Sequence, residues 1–271
     1  MLTQADQQYL VELVRAAGRR ILTHYGGETG VTLKADQSPL TDADRSSHHQ
    51  VTEGLRQRWP ECPILSEDGA EIAYEKRRRW QTFWLVDPLD GTKEFLRCNG
   101  EFTVNIALIV SKQPVFGVVG VPVTQTVYLG GPERGAWRET SDGMRVPIRC
   151  SQRTAGERLT VVGSRSHGSP EMADFLKHLP VKDLLAVGSS LKFCRVAEGE
   201  ADVYPRFGPT MEWDTAAGHA VVIGAGGHVV DSHGRPLRYN KEDLHNDAFL
   251  VSARQWQGNW RRRDSSDALA G

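Results

Sequence analysis

The chain carries almost no net charge. Its 271 residues hold 33 Lys and Arg against 34 Asp and Glu, leaving −1. Such a balance gives a nucleic-acid polymer no global attraction. A small anionic substrate would have to be met by local cations or by bound metal. Cysteine is equally scarce: Cys62, Cys98, Cys150 and Cys194 are scattered, with no Cys-x-x-Cys pair. That spacing argues against a zinc site or a disulfide framework and favours a reducing compartment. No cysteine is followed by arginine six positions on, so a thiolate-and-arginine loop is absent. No apolar run approaches the ~20 residues that a helix needs to cross a bilayer. The N-terminus shows no basic stretch followed by an apolar core. These absences together lead us to expect a cytoplasmic protein with no integral membrane segment. The nine histidines, His48 and His49 among them, form no metal-ligand spacing, and no internal repeat is visible.

What is present is ordinary for a folded protein: 39% hydrophobic and 25% charged residues, enough for a substantial core. Leu10, Leu13, Val14, Ala17 and Ile21 recur at helical spacing. Thr41 with Asp44 three residues on marks a second helix start, with the helix running to about Trp59. Residues 63–65, 102–110, 114–121 and 126–129 have strand character, and Trp137 and residues 145–148 extend that series. Residues 76–79, a basic cluster, are expected to be exposed. Beyond a polar connection at 149–158 come a strand at 159–162 and helices at 171–179 and 189–198. A strand at 201–207, an apolar helix at 215–224 and closing strands at 228–231 and 248–251 follow. We expect an N-terminal α+β lobe over 1–150, a C-terminal α/β lobe over 151–252 and a flexible tail over 253–271. Hairpins interleaved with helices imply a layered α/β (α+β) fold, not a strict doubly wound sheet.

The most informative stretch runs from Trp84 to Phe95. Three apolar residues, Trp84, Leu85 and Val86, lead into Asp87-Pro88-Leu89-Asp90-Gly91-Thr92. A proline cannot donate to a ladder and Asp-Gly favours a turn, so a buried strand should leave its sheet at Asp87. The turn gathers two carboxylates, the Leu89 carbonyl and the Gly91 and Thr92 amides. Oxygen ligands of this kind suit a hard cation such as magnesium, and amides opening a helix suit a phosphate oxygen. Glu67 and Asp214 also sit where a strand or loop meets a helix start. Any one such carboxylate is commonly just a cap or a turn former. Several buried together, without partners, would be costly. Asp90-Gly91-Thr92 looks like the end of an Asp-x-Asp-Gly-Thr phosphoenzyme motif, but Asp87 and Asp90 are separated by two residues, not one.

Glu67 within Leu-Ser-Glu-Asp, the turn Asp87 to Thr92, and Trp213-Asp-Thr-Ala-Ala-Gly218 resemble the three signatures of the inositol monophosphatase superfamily. Further stretches are similar to its 3'(2'),5'-bisphosphate nucleotidase branch: Lys93-Glu-Phe95, residues 99–108, Gly188-Ser-Ser-Leu-Lys-Phe-Cys194 and Tyr204-Pro-Arg-Phe-Gly-Pro-Thr210. The resemblance spans the first helix to about Val251. It implies an αβαβα sandwich of the inositol monophosphatase/fructose-1,6-bisphosphatase type and a lithium-sensitive phosphomonoesterase using two or three Mg2+ ions. Carried onto this chain, Glu67, Asp87 and the Leu89 carbonyl would hold one ion. Asp87, Asp90 and Asp214 would hold the second. Position 68, usually Glu in the family, is Asp here, and Asp68 receives no metal role.

The resemblance further implies direct attack of metal-activated water, with Thr92 hydrogen-bonded to Asp44 to orient that water and Glu67 assisting. Asp44 and Thr92 could equally be a helix box and a helix cap, and these uses are compatible. Glu67, Leu89, Asp90, Gly91, Thr92 and Asp214 would line the substrate. By position in the branch, His167, Ser189, Lys192 and Arg206 are candidate nucleotide contacts. Lys192 could instead be a solvated helix charge and Arg206 a strand flank. The implied partner is a small bisphosphate nucleotide, adenosine 3',5'-bisphosphate, and not a nucleic-acid polymer. The 3'-phosphorylated sulfate donor is a further expected substrate. Peripheral association with the cytoplasmic face of the inner membrane is implied by resemblance alone. An inositol- or other sugar-phosphate phosphatase is the alternative within the same chemistry. A catalytically silent metal- or nucleotide-binding regulator is the alternative outside it. Oligomeric state is left open.

Overall fold

The structure is a computed structural model that describes residues 2–27, 30–33, 39–153, 157–164, 170–255 and 260. Helix α1 (Gln4–Leu22) starts at Thr3, whose hydroxyl accepts from the Asp6 amide while the Asp6 side chain accepts from the Thr3 amide. Its expected apolar face is buried. After β1 (Val31–Leu33) and β2 (Pro39–Thr41) comes α2 (Asp42–Arg58), opened by the Thr41–Asp44 box. Then follow β3 (Ile64–Ser66), α3 (Tyr74–Arg77), β4 (Thr82–Asp90) and α4 (Thr92–Leu96). A run of strands continues the sheet: β5 (Thr103–Val110), β6 (Gln113–Val121), β7 (Thr126–Gly131), β8 (Gly135–Glu139) and β9 (Arg145–Ile148). Strands β3 to β9 form one seven-stranded sheet in chain order, with only the β3–β4 pair parallel.

The second sheet uses β10 (Leu159–Ser164), α5 (Pro170–Lys177) as a crossover, β11 (Val181–Val187), then α6 (Leu191–Ala197) and β12 (Val203–Arg206). A short β13 (Thr210–Met211) precedes α7 (Glu212–Gly224). Strands β14 (His228–Asp231), β15 (His245–Asn246) and β16 (Phe249–Ser252) complete the chain order. The five strands lie in the order β11-β10-β12-β16-β14. α1 and α2 cover one face of the large sheet, and α6 and α7 fill the space between the sheets. Phe175 of α5 packs on the outer face of the small sheet. The layers are therefore α/β/α/β/α, as expected.

α7 is apolar nearly all round because it is buried on both sides. It approaches the large sheet so closely that a Cβ at Gly117 would lie 2.3 Å from the Ala217 carbonyl oxygen. The helix that carries Asp214, from the second half of the sequence, is thus seated on the first sheet.

Four expectations need correction. β4 does not leave its sheet at Asp87; it continues to Asp90 through a register shift. The basic cluster is not uniformly exposed, because Arg77 is buried and bonds Asn240 Oδ1 and the carbonyls of Lys241 and Glu242. Guanidinium donors can satisfy a loop's carbonyls, which a run of basic letters does not reveal. Trp260, assigned to the tail, is buried against Phe175 and Phe207, and its Nε1 donates to the Asp231 carbonyl at 2.7 Å. β11 went unassigned because it is an edge strand whose Lys182 and Asp183 are exposed, which hides the apolar alternation.

Candidate active site and metal centre

The site is built at the C-terminal end of β4. Asp87 pairs with Asn105 of β5, and the next aligned pair is Asp90 with Thr103, so Pro88 and Leu89 bulge out. Proline has no N–H to give to the ladder, which makes this the natural place for a bulge. The bulge is pinned on both sides. Ser47 Oγ donates to the Pro88 carbonyl at 2.6 Å, the Leu89 amide donates to Asp87 Oδ1 at 3.0 Å, and the Leu89 side chain is buried in the core. Gly91 then turns the chain into α4 with φ +92°, a left-handed value that glycine adopts without strain.

Tertiary pairing brings the other carboxylates in. The Glu67 amide donates to the Val86 carbonyl at 3.2 Å, continuing the β3–β4 ladder and placing Glu67 beside Asp87. Asp214 is not ahead of its helix but inside the first turn of α7, where its Oδ2 accepts from the Met211 amide at 2.9 Å. One oxygen each of Glu67, Asp87 and Asp214 lies within 4.8 Å of the others. Asp87 is buried; Glu67 and Asp214 are half-buried.

Burial drives the Asp87 carboxyl well above the usual range, and the charges of Glu67, Asp90, Asp214 and Asp68 push it the same way. Asp214 is raised by burial and then by Asp90 and Glu67. A buried set of like charges is unfavourable as it stands, and a divalent cation held by oxygen donors would offset it. The donor set is all-oxygen and anionic, which fits magnesium and not a soft metal.

Asp90 is half-buried and stands beside the trio without joining it. Its Oδ2 accepts from Ser189 Oγ at 2.7 Å and from the Ser190 amide at 2.6 Å. Thr92 Oγ1 lies 3.3 Å from Asp44 Oδ1, as donor, and 3.5 Å from the Leu89 carbonyl. Asp44 is buried, and its Oδ2 accepts from the Thr41 amide at 2.7 Å and the Thr41 hydroxyl at 2.5 Å. The cap and the Thr92 contact therefore use different oxygens of one carboxylate.

The candidate nucleotide contacts fall differently. Ser189 is turned to Asp90. Lys192 is buried, not solvated, and its ammonium donates to the carbonyls of Ser189 at 2.7 Å and Val187 at 3.4 Å. Burial pushes the Lys192 ammonium down to about 8; Asp90 opposes that shift and Arg206 adds to it. Arg206 is half-buried and bonds the carbonyls of Gly208 and Pro209, each at 3.2 Å. His167 lies outside the described residues. Ser190, Thr103 and Asn105 were not anticipated. A signal existed: Thr103 and Asn105 are polar at positions i and i+2 of an otherwise apolar strand, on the face that carries Asp87.

The family model described as inositol monophosphatase family matches residues 3–263. The chain is 49% identical over 244 residues to the 3'(2'),5'-bisphosphate nucleotidase CysQ of Escherichia coli strain K12, covering 89% of this chain and 97% of that protein. It is also similar to the crystal structure of CysQ from Bacteroides thetaiotaomicron, described as a bacterial member of the inositol monophosphatase family. That match has TM-score 0.79 and 42% identity, over 93% of this chain and 98% of that one. The extragenic suppressor protein suhB of Bartonella henselae matches with TM-score 0.77 and 26% identity, over 92% and 94% of the two chains. A match over nearly the whole chain, on the fold and carboxylate cluster described above, places it plainly: the chain belongs to the inositol monophosphatase family.

Proposed function

We propose that this chain is a magnesium-dependent 3'(2'),5'-bisphosphate nucleotidase that hydrolyses adenosine 3',5'-bisphosphate to AMP and phosphate. The observation that carries the reading is the convergence of Glu67, Asp87 and Asp214 within 4.8 Å beside the Thr92–Asp44 hydrogen bond. Relatives bearing the nucleotidase name share up to 49% of the aligned residues with it, which supports the substrate class.

Glu67, Asp87, Asp90, Asp214 and the Leu89 carbonyl would hold the Mg2+ ions. Bound there, magnesium supplies Lewis acidity toward the phosphoryl oxygens and lowers the pKa of water at the site. The protein's own part is positioning and proton handling. Asp44 Oδ1 accepts the Thr92 hydroxyl proton, which turns a lone pair of Thr92 Oγ1 toward the entering water. As that water attacks phosphorus in line with the leaving ribose oxygen, its proton passes to Thr92 Oγ1 while the Thr92 proton moves to Asp44. Glu67 assists in orienting the same water. The amides of Gly91 and Thr92 face the phosphate oxygens. His167 and Arg206 are assigned to the nucleotide's second phosphate. Lys192 acts on the nucleotide side only through the Ser189 carbonyl that it holds.

The test is phosphate release from a panel: adenosine 3',5'-bisphosphate, its sulfated 5' analogue, inositol 1-phosphate and fructose 1,6-bisphosphate, each with and without Mg2+. Magnesium-dependent turnover led by the bisphosphate nucleotide is expected. Preferential turnover of inositol 1-phosphate would move the chain to the sugar-phosphate side of the family. Nucleotide binding without phosphate release would make it a regulator.

A further inference from the structure

Behind Asp90 lies a closed set of hydroxyls whose protons can be counted. Ser189 Oγ is 2.7 Å from Asp90 Oδ2, Thr103 Oγ1 is 2.6 Å from Ser189 Oγ, Ser190 Oγ is 2.8 Å from Thr103 Oγ1, and the Asn105 amide is 2.8 Å from Ser190 Oγ. Thr103, Ser190 and Asn105 are buried. A carboxylate only accepts, so the Ser189 proton is committed to Asp90. The Thr103 proton must then serve the 2.6 Å contact with Ser189, because Ser189 has no proton left to give. By the same step the Ser190 proton belongs to Thr103. Ser190 now has none for Asn105, so the atom of Asn105 that faces it must be a donor.

With Asn105 Oδ1 facing Ser190 at 2.8 Å and Thr103 Oγ1 at 3.4 Å, three hydroxyl protons are asked to fill five contacts, and Asn105 Nδ2 is buried with no partner among the described residues. Turning the amide by 180° supplies the missing donor and exchanges the unpartnered N–H for an unpartnered carbonyl oxygen. Oxygen and nitrogen of an amide are exchanged in such an assignment without moving any other atom. Nδ2 then donates to Ser190 Oγ, and an unpartnered buried carbonyl oxygen is better tolerated than an unpartnered buried N–H.

We infer that Asn105, Ser190, Thr103 and Ser189 form a one-way chain of hydrogen bonds, Asn105 Nδ2–H to Ser190 to Thr103 to Ser189 to Asp90 Oδ2, which fixes the Asp90 carboxylate for metal binding. Each donor in such a chain is polarised by the one behind it. The Ser190 amide joins at the same oxygen, so Oδ2 is fully used by two donors. No donor among the described residues reaches Oδ1, which is left as the metal-facing atom. The chain starts on β5, crosses to the segment before α6, returns to β5 and crosses again to reach the end of β4. It thereby ties the two sheets together at the site. Thr103, Asn105, Ser189 and Ser190 are positioning residues here.

The inference rests on Asp90 being a metal ligand, and the experiment separates the two. Mn2+ binding to the intact protein without nucleotide is titrated by the loss of the free-ion electron paramagnetic resonance signal. Wild type must bind Mn2+; if it does not, the metal reading itself is overturned. Thr103→Val keeps shape and removes the link, and is expected to weaken Mn2+ by ~5- to 10-fold, the scale of one hydrogen bond between neutral groups. Thr103→Ser keeps the hydroxyl and is expected to bind within ~2-fold of wild type, since the chain is intact. Ser189→Ala, at a half-exposed position, deletes the last link and must weaken Mn2+ as well. In turnover assays the Mg2+ concentration for half-maximal rate should rise for Thr103→Val more than the nucleotide KM does. Thr103→Val or Ser189→Ala binding Mn2+ like wild type, or Thr103→Ser failing as badly as Thr103→Val, overturns the chain while leaving Asp90 a ligand.

Discussion

Replacing Asp87 by asparagine should abolish activity and, in the absence of metal, stabilise the protein. The carboxyl of Asp87 is buried, with oxygens of Glu67 and Asp214 within 4.8 Å. At an effective dielectric of about 20, two unit charges at that distance repel by about 3.5 kcal/mol. Two such neighbours double the figure, but the cluster relieves itself by taking up a proton, which limits the net strain to about one pair, or ~3 kcal/mol. Asparagine is nearly isosteric, keeps an oxygen for the Leu89 amide and presents an N–H to the two remaining carboxylates. In EDTA at pH 7, Asp87→Asn should therefore melt higher than wild type by about 6–12 °C, taking ~2–4 °C per kcal/mol for a chain of this size.

The pH dependence has a definite sign. Asp87 and Asp214 are raised in the folded state, so their contribution to stability is fully present below the unfolded carboxylate range near ~4 and is lost as pH rises through the folded values. Metal-free wild type should lose stability relative to Asp87→Asn from about pH 4 upward. Added Mg2+ should reverse the order, because a ligand at ~100 times its Kd stabilises by about 2.7 kcal/mol and the variant binds it poorly. Differential scanning calorimetry across pH, with EDTA and with Mg2+, reads all of this. A variant that melts below wild type in EDTA, or a wild type indifferent to Mg2+, would refute the electrostatic reasoning.

Thr92→Val should lower kcat by about 10²-fold at saturating Mg2+ with little change in Mn2+ affinity, since it removes proton handling and not a metal ligand; a loss confined to KM would contradict that role. Arg77→Met should cost about 2–4 kcal/mol in urea unfolding, because it strips a buried guanidinium from Asn240, Lys241 and Glu242 while adding no cavity; an unchanged midpoint would show that water can replace it. Trp260→Ala should destabilise by about 3 kcal/mol, and a near-neutral result would mean that residue 260 belongs to a dispensable tail after all.

The sequence was a good guide wherever a local rule carried the information. Helical spacing buried the expected face of α1, and the Thr41–Asp44 box opens α2 as its letters demand. The proline and the Asp-Gly pair located the irregularity at Pro88, though not its form. A strand that bulges and one that departs share the same residues, and only the partner Thr103 opposite Asp90 tells them apart. For Lys192 the alternative of a solvated helix charge falls for a similar reason. A lysine on a helix is solvated unless another layer covers it, and here the second sheet does.

The sequence by itself determined which oxygen donors exist, their order along the chain and the turn that joins two of them, because these follow from residue type and short-range geometry. Tertiary structure alone decided the rest. Glu67 reaches Asp87 through a parallel strand pair, and Asp214 reaches it because α7 is drawn onto the first sheet by apolar burial and by the missing side chain of Gly117. The donors behind Asp90 come from β5 and from the start of α6, more than eighty residues apart in sequence. Contacts of that separation are fixed by packing, which no local pattern records.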